Sequence, residues 1–140
     1  TARLFHDKFG TQIILLGGTD DFEACKMVRE LIPFPITDAS GATSIYETAR
    51  MLDKADGLLC NDSGIMHLAA ARRVPVAAVF GSTVREFGFA PFRVPNVVIE
   101  QELDCRPCTH IGRAECPLGH FKCMNLITSD EVARQYLAMR

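Results

Sequence analysis

CNDSGIMHLAAARRVPVAAVFGST, Cys60 to Thr83, places an acid, a hydroxyl and a glycine between a short apolar run and a helical pattern. The run before it, GLLC, is continuously apolar and short, as in a strand buried on both faces. SGIMHLAAARR then reads as a helix, with Asp62 and Ser63 as cap residues. VPVAAVF is a second apolar strand, stopped by Gly81. Strand, helix and strand in this order predict parallel strands joined by a crossover helix.

The pattern continues on both sides. Upstream, QIILLGG (12–18) is an apolar run closed by Gly17 and Gly18, and TDDFEACKMVRELI follows with Thr19 or Asp20 as cap and Phe22, Cys25, Val28 or Arg29, and Ile32 near one face. FPITDASGATS holds turn formers around a short strand at Ile36 and Thr37. In SIYETARMLDKA, Ile45, Ala49 and Leu52 recur at helical spacing, Ser44 can cap, and Glu47 sits where the helix dipole favours an acid. Downstream, NVVIE is the last expected strand, residues 103–125 are irregular and rich in cysteine, and a capped helix closes the chain over 129–139. The expected fold class is α/β: one Rossmann-like domain, 1–140, with a parallel sheet and helices on both faces.

Composition narrows the function. The 140 residues are 48% hydrophobic and 23% charged, enough for a buried core and against disorder. A net charge of −2 offers no basic field for nucleic acid, so no nucleic-acid partner is expected. No apolar run reaches the ~18–20 residues of a membrane span, and TARLFHDKFG lacks the apolar core of a secretory signal. The expected location is the cytoplasm. The chain starts without methionine and ends on a helical pattern, so both ends are expected to be cuts through something longer.

In an open parallel sheet, ligands bind beyond the carboxyl ends of the strands. Asp62, Ser63 and Gly64 fall there, at a helix start whose free N–H groups and dipole attract an anion such as a phosphate. Gly64 lets a ligand approach the backbone. Asp62 repels phosphate directly, and its carboxylate suits sugar hydroxyls or the orientation of neighbouring donors. His67, one turn on, aims near the same place. From spacing alone two readings stay open: Asp62 and Ser63 as ordinary caps with His67 a core residue, or all three as ligand contacts. Gly17–Gly18 lacks the G-x-G-x-x-G of dinucleotide binders, which disfavours a dehydrogenase.

Taken as an ordered set, GG after the first strand, ATSIYETARML, GLLCNDSGIMHLAAARRVPVAAVFGST and CRPC…CPLGHFKCM resemble the ADP-heptose:lipopolysaccharide heptosyltransferases of glycosyltransferase family 9, most closely the type II enzymes. The resemblance implies the C-terminal, nucleotide-sugar-binding half of a GT-B glycosyltransferase, with donor contacts at Asp62, Ser63, Gly64 and His67. It further implies a ribose contact at Glu23, with Asp20 or Asp21 as alternatives, an adenosine pocket at Thr43 and Ser44, and donor-side positions at Gly17, Gly18, Ser82 and Thr83, after Gly81. The implied partners are ADP-heptose, a lipopolysaccharide core acceptor and an N-terminal domain absent from these residues, with peripheral contact to the inner membrane. The implied reaction is an inverting displacement without a catalytic metal or other cofactor. The family's catalytic base and its phosphate-binding lysine lie outside this sequence, so the chain alone is expected to bind donor weakly and to catalyse nothing. Alternatives are a transferase using another nucleotide sugar, such as a UDP-sugar, and a non-catalytic module that binds metal or a partner.

Cys105, Cys108, Cys116 and Cys123 are spaced C-x2-C-x7-C-x6-C, with His110 and His120 close by. Four thiolates in a loop-rich stretch suit structural zinc, although only the first pair has tight ligand spacing. The other reading is a set of structural cysteines, reduced or occasionally disulfide-linked. Cys25 and Cys60, in apolar contexts, are read as small core residues.

Overall fold

The computed structural model describes residues 1–139. The chain forms two compact units, Thr1–Met51 and a second that runs from Leu52 onward.

The first unit holds α1 (Ala2–Phe9), β1 (Ile14–Leu15), a 3-10 turn (Thr19–Asp21), α2 (Phe22–Leu31), β2 (Thr37–Asp38) and nearly all of α3 (Ile45–Leu52). The strands pair in parallel, Ile14 opposite Thr37 and Leu15 opposite Asp38. Bonds from the N–H groups of Thr37, Ala39 and Gly41 to the carbonyls of Ile13, Leu15 and Gly17 carry the same register as far as Gly17. The sequence predicts a strand buried on both faces here. Instead Ile14 is 45% exposed, because a sheet of two short strands covers little of either face. The first helix, α1, is absent from the sequence reading. Its signals are local: a Phe5–Phe9 ring pair one turn apart, with centroids at 6.2 Å, and Gly10 in the left-handed conformation (φ 64°), its N–H on the His6 carbonyl.

The second unit holds β3 (Leu58–Asn61), α4 (Gly64–Ala71), β4 (Val76–Val79), a 3-10 turn (Arg85–Phe87), β5 (Asn96–Ile99), α5 (Lys122–Asn125) and α6 (Ser129–Met139). Its sheet has the order β3-β4-β5, all parallel, with Cys60 opposite Ala78 and Ala78 opposite Val98. Only the central strand meets the expectation of burial on both faces: Val76, Ala77 and Ala78 are fully buried, whereas Leu59 on the edge strand β3 is 42% exposed. Helix α4 packs on β3 and β4, and α6 on β4 and β5. Ala69 and Ala70 let α4 lie close to the sheet, while Met66, Phe80, Leu52 and Ile99 fill the core. Each of those four large side chains contributes roughly 1.5–3 kcal/mol by leaving water.

Two close fits fix this unit. Gly57 enters β3 beneath Tyr136 of α6, and a Cβ built on it would stand 2.8 Å from the tyrosine's Cζ. At the other end of the crossover, α4 stops with Arg73 in the left-handed conformation (φ 62°), the Arg73 and Val74 N–H groups on the Ala70 and Ala69 carbonyls, and Pro75 beyond. Most of 103–125 is irregular as expected, but its end, Lys122–Asn125, forms the single helical turn α5.

Candidate functional site

Parallel strands put the residues that follow them on one edge, and the expected site residues distribute over one such edge in each unit. In the first unit, the Gly41 N–H bonds the Gly17 carbonyl at 3.0 Å, so the glycine turn after β1 meets the loop after β2. Gly17 must lack a side chain, since a Cβ there would lie 2.7 Å from that of Asp21. The Gly18 N–H donates to the Asp21 carboxylate at 2.9 Å, which gives Asp21 a local role in the turn. Glu23 is exposed in the first turn of α2, with Lys26 at 3.9 Å. Thr43 shares a hydrogen bond of 2.9 Å with Thr48. Ser44 and Glu47 form a reciprocal cap: the Ser44 N–H and hydroxyl donate to the Glu47 carboxylate, and the Glu47 N–H returns to Ser44 Oγ. Those two donors hold the Glu47 carboxyl below its ordinary pKa.

One pair on this edge escaped the sequence reading. The Ser40 hydroxyl and N–H both bond Asp38 Oδ1, at 2.6 and 3.1 Å, and Arg29 lies 3.7 Å from Oδ2. The Ser40 bonds, with Arg29 adding, lower the Asp38 pKa. The only sequence signal was an acid followed two residues later by serine, a common turn pattern.

The second unit assembles Asp62, Ser63, Gly64, Ser82 and Thr83 beyond β3 and β4. Ser63 stands at the N-cap position of α4, but its hydroxyl bonds the Asn61 carbonyl at 3.2 Å and makes no cap bond to the helix. A Cβ built on Gly64 meets no atom within 4 Å, so the space before the helix start is open. The start of α4 therefore keeps its dipole and its first N–H groups without a capping side chain. Asp62 is held from the next strand: the buried Thr83 hydroxyl donates to Asp62 Oδ2 at 2.6 Å, and the Asp62 N–H bonds the Val79 carbonyl. Burial, with the Asp62 charge adding, pushes the Cys60 thiol up to about 12. His67 is exposed on α4, which removes the reading of it as a core histidine.

Arg106, inside CRPC, carries the largest hydrogen-bond set on this edge, and the sequence reading gave it no role. Its side chain is 6% exposed. Its guanidinium donates to the carbonyls of Gly81 at 2.5 Å, Thr83 at 2.7 Å and Phe80 at 3.3 Å, to the Gln101 carbonyl, and to the Glu100 carboxylate at 2.8 Å. The Cys108 N–H takes the remaining carbonyl of that turn, Ser82, at 3.1 Å.

The six cysteines are free thiols. Cys116 Sγ lies 4.0 Å from His120 Nδ1, and backbone N–H groups of the 118–121 turn, Phe121 foremost, hold its thiol below the ordinary value. Burial raises that of Cys123, partly offset by the Arg106 charge. Among the described residues, no group of three or more His, Cys, Asp or Glu side chains is arranged to hold a metal ion. Among them too, no helix is long and apolar enough to cross a membrane.

The model of glycosyltransferase family 9 (heptosyltransferase) matches residues 3–119. The chain belongs to that family. Among relatives, it is 28% identical over 128 residues to lipooligosaccharide heptosyltransferase 2 of Campylobacter jejuni, a match covering 88% of this chain and 39% of the relative. Lipopolysaccharide heptosyltransferase 2 of Escherichia coli is 27% identical over 82 residues, 56% of this chain and 24% of the relative. Two solved structures share the fold. A family 9 glycosyl transferase from Veillonella parvula gives a TM-score of 0.78 at 20% identity, covering 96% of this chain and 38% of that one. The ADP-heptose lps heptosyltransferase II of E. coli gives 0.77 at 21%, covering 99% and 38%. At 39%, the chain spans about two fifths of the first of these relatives, and the family 9 fold it shares is that of parallel strands and helices.

Proposed function

We propose that this family 9 chain binds a nucleotide-sugar donor, ADP-heptose, within a heptosyltransferase that adds heptose to the lipopolysaccharide inner core. The observation that carries the proposal is the start of α4: a helix end without a capping side chain, open space over Gly64, and an Asp62 carboxylate fixed by Thr83 beside it. The N–H groups there suit the donor's diphosphate, and Asp62 suits hydroxyls of the sugar. Ser63, Ser82 and His67 are proposed to add polar contacts to the donor.

The reaction is an inverting displacement. A hydroxyl of the acceptor, deprotonated by a base outside these residues, attacks the anomeric carbon as the bond to the diphosphate breaks. Negative charge then grows on the departing ADP. The helix start at Ser63 and Gly64 is arranged to stabilise that charge, since its dipoles are oriented before the reaction begins. The names of relatives that act on lipopolysaccharide or lipooligosaccharide, and the ADP-heptose for which the structurally similar E. coli enzyme is named, support this choice of substrates.

Calorimetric titration of the chain with ADP and with UDP tests it. ADP is expected to bind and UDP to bind more weakly, and ADP-heptose, titrated alongside, is expected to bind Asp62→Ala about tenfold more weakly than the wild type, the size of one lost charge-assisted hydrogen bond. Equal binding by the variant removes Asp62 from the site, and a preference for UDP changes the donor.

A further inference from the structure

We propose that Arg106 is a positioning residue for this donor site: it fixes the turn Phe80–Thr83 and, through Thr83, the carboxylate of Asp62. The inference builds on the donor reading above and extends it into the cysteine-rich segment.

The four carbonyls of residues 80–83 all point to CRPC. Arg106 receives those of Phe80, Gly81 and Thr83, and the Cys108 N–H receives that of Ser82. A carbonyl can accept from any donor, but few side chains can serve three on one strand end and two acceptors on the next. Arginine can, because its donors diverge in one plane while its charge stays spread. The two acceptors beyond β5 are the Gln101 carbonyl and the Glu100 carboxylate, so one guanidinium ties the ends of β4 and β5 together. At 6% exposure it has little water as a substitute.

Thr83 transmits the constraint. Its carbonyl bonds Arg106 and its hydroxyl bonds Asp62 Oδ2, and at 4% exposure its β-branched side chain has little freedom to turn. Rotation of the backbone at residue 83 therefore moves the hydroxyl, and with it the carboxylate. The turn is closed from its other side as well, because a Cβ on Gly81 would lie 2.7 Å from Met124 Sδ and 3.7 Å from Cys123 Sγ. The segment thus works as a clasp on the turn that orients Asp62.

The test is an NMR comparison of the labelled chain with Arg106→Lys, Thr83→Val and the double variant, without ligand and during titration with ADP-heptose. Lysine keeps the charge and loses the planar fork. We expect Arg106→Lys to move the amide resonances of Asp62, Ser63 and Gly64 in the direction that Thr83→Val moves them. Each change should weaken ADP-heptose about tenfold, and the pair should weaken it little further, as two links of one chain do. Val132→Ala, a core change in α6, serves as the control for general loosening: it should lower stability and leave those amides and ADP-heptose affinity alone. Unmoved amides in Arg106→Lys, additive losses in the double variant, or equal shifts in Val132→Ala each overturn the proposal. If Arg106→Lys does not fold, Glu100→Gln with Thr83→Val decides by the same criteria. If the wild-type chain binds none of ADP-heptose, ADP and UDP, the donor reading falls, and the clasp is judged on the ligand-free spectra alone.

Discussion

The Ser63 hydroxyl bonds the carbonyl of Asn61 at 3.2 Å and leaves the start of α4 uncapped, whereas Ser44, at the equivalent place before α3, engages Glu47 in both directions. The two serines look alike in sequence and predict opposite stability effects. Ser44→Ala should cost about 1 kcal/mol, the usual value of a lost cap, and Ser63→Ala less than half of that, measured by urea denaturation. The acid limb gives a second readout. Glu47 is held below its ordinary pKa by Ser44, so its contribution is present above the usual carboxylate range and fades as pH falls through the lowered value. Ser44→Ala should flatten that loss, and an unchanged acid limb would contradict the cap.

Gly64 offers a sharper separation of stability from binding. Open space surrounds the position where a Cβ would stand, and alanine is the better helix former by ~1 kcal/mol at most. Gly64→Ala should therefore melt at the same temperature as the wild type or slightly higher. A diphosphate resting on the backbone would meet the new methyl group, so ADP affinity should fall at least fivefold. Full affinity in a stable variant would place the anion elsewhere.

Gly57 predicts the reverse. A Cβ there overlaps the Tyr136 ring and hydroxyl, and both neighbours are held by the packing of α6 on the sheet. Gly57→Ala should cost about 2 kcal/mol or more through overpacking. Tyr136→Phe in that background should recover only part of it, because Cζ, at 2.8 Å, remains. Complete recovery would trace the strain to the hydroxyl alone.

The thiols should separate by reactivity. Backbone donors lower the Cys116 pKa, while burial and the Asp62 charge raise that of Cys60 to about 12. Since the thiolate is the nucleophile, iodoacetamide should modify Cys116 well before Cys60 in the folded chain near neutral pH. The Cys116 rate should rise with pH and reach half its plateau below pH 9, the ordinary thiol value. Cys60, half-buried and with a raised pKa, should react far more slowly in the folded chain than after unfolding. Peptide mass spectrometry after timed quenching reads both, and labelling of Cys60 as early as that of Cys116 would contradict this order.

Much of the fold was legible because apolar runs stopped by glycine or proline mark parallel strands, and each of the five expected strand regions contains one. Asp62, Ser63 and Gly64 were legible for the same reason: their place after a strand follows from order alone. Helix α1 was hidden by its polar residues, since its signals are one ring pair and a left-handed glycine. Arg106 was hidden more deeply. Its partners are backbone carbonyls up to 26 positions away, and a carbonyl leaves no trace in residue type. The cysteines on either side drew the reading toward metal, while the residue between them makes the contacts. Ser63 shows the opposite failure, where a residue type suited to capping is turned to another acceptor.

The seat of Tyr136 over Gly57 also bears on the order in which the chain matures. Synthesis delivers β3, β4 and β5 before the cysteine-rich segment, and α6 only afterwards. Until Tyr136 has emerged, the sheet face that α6 covers stays open to water and to other chains. The entry to β3 lacks its lid for the same interval. A nascent chain of this kind is most exposed to chaperones and to aggregation just before that helix arrives.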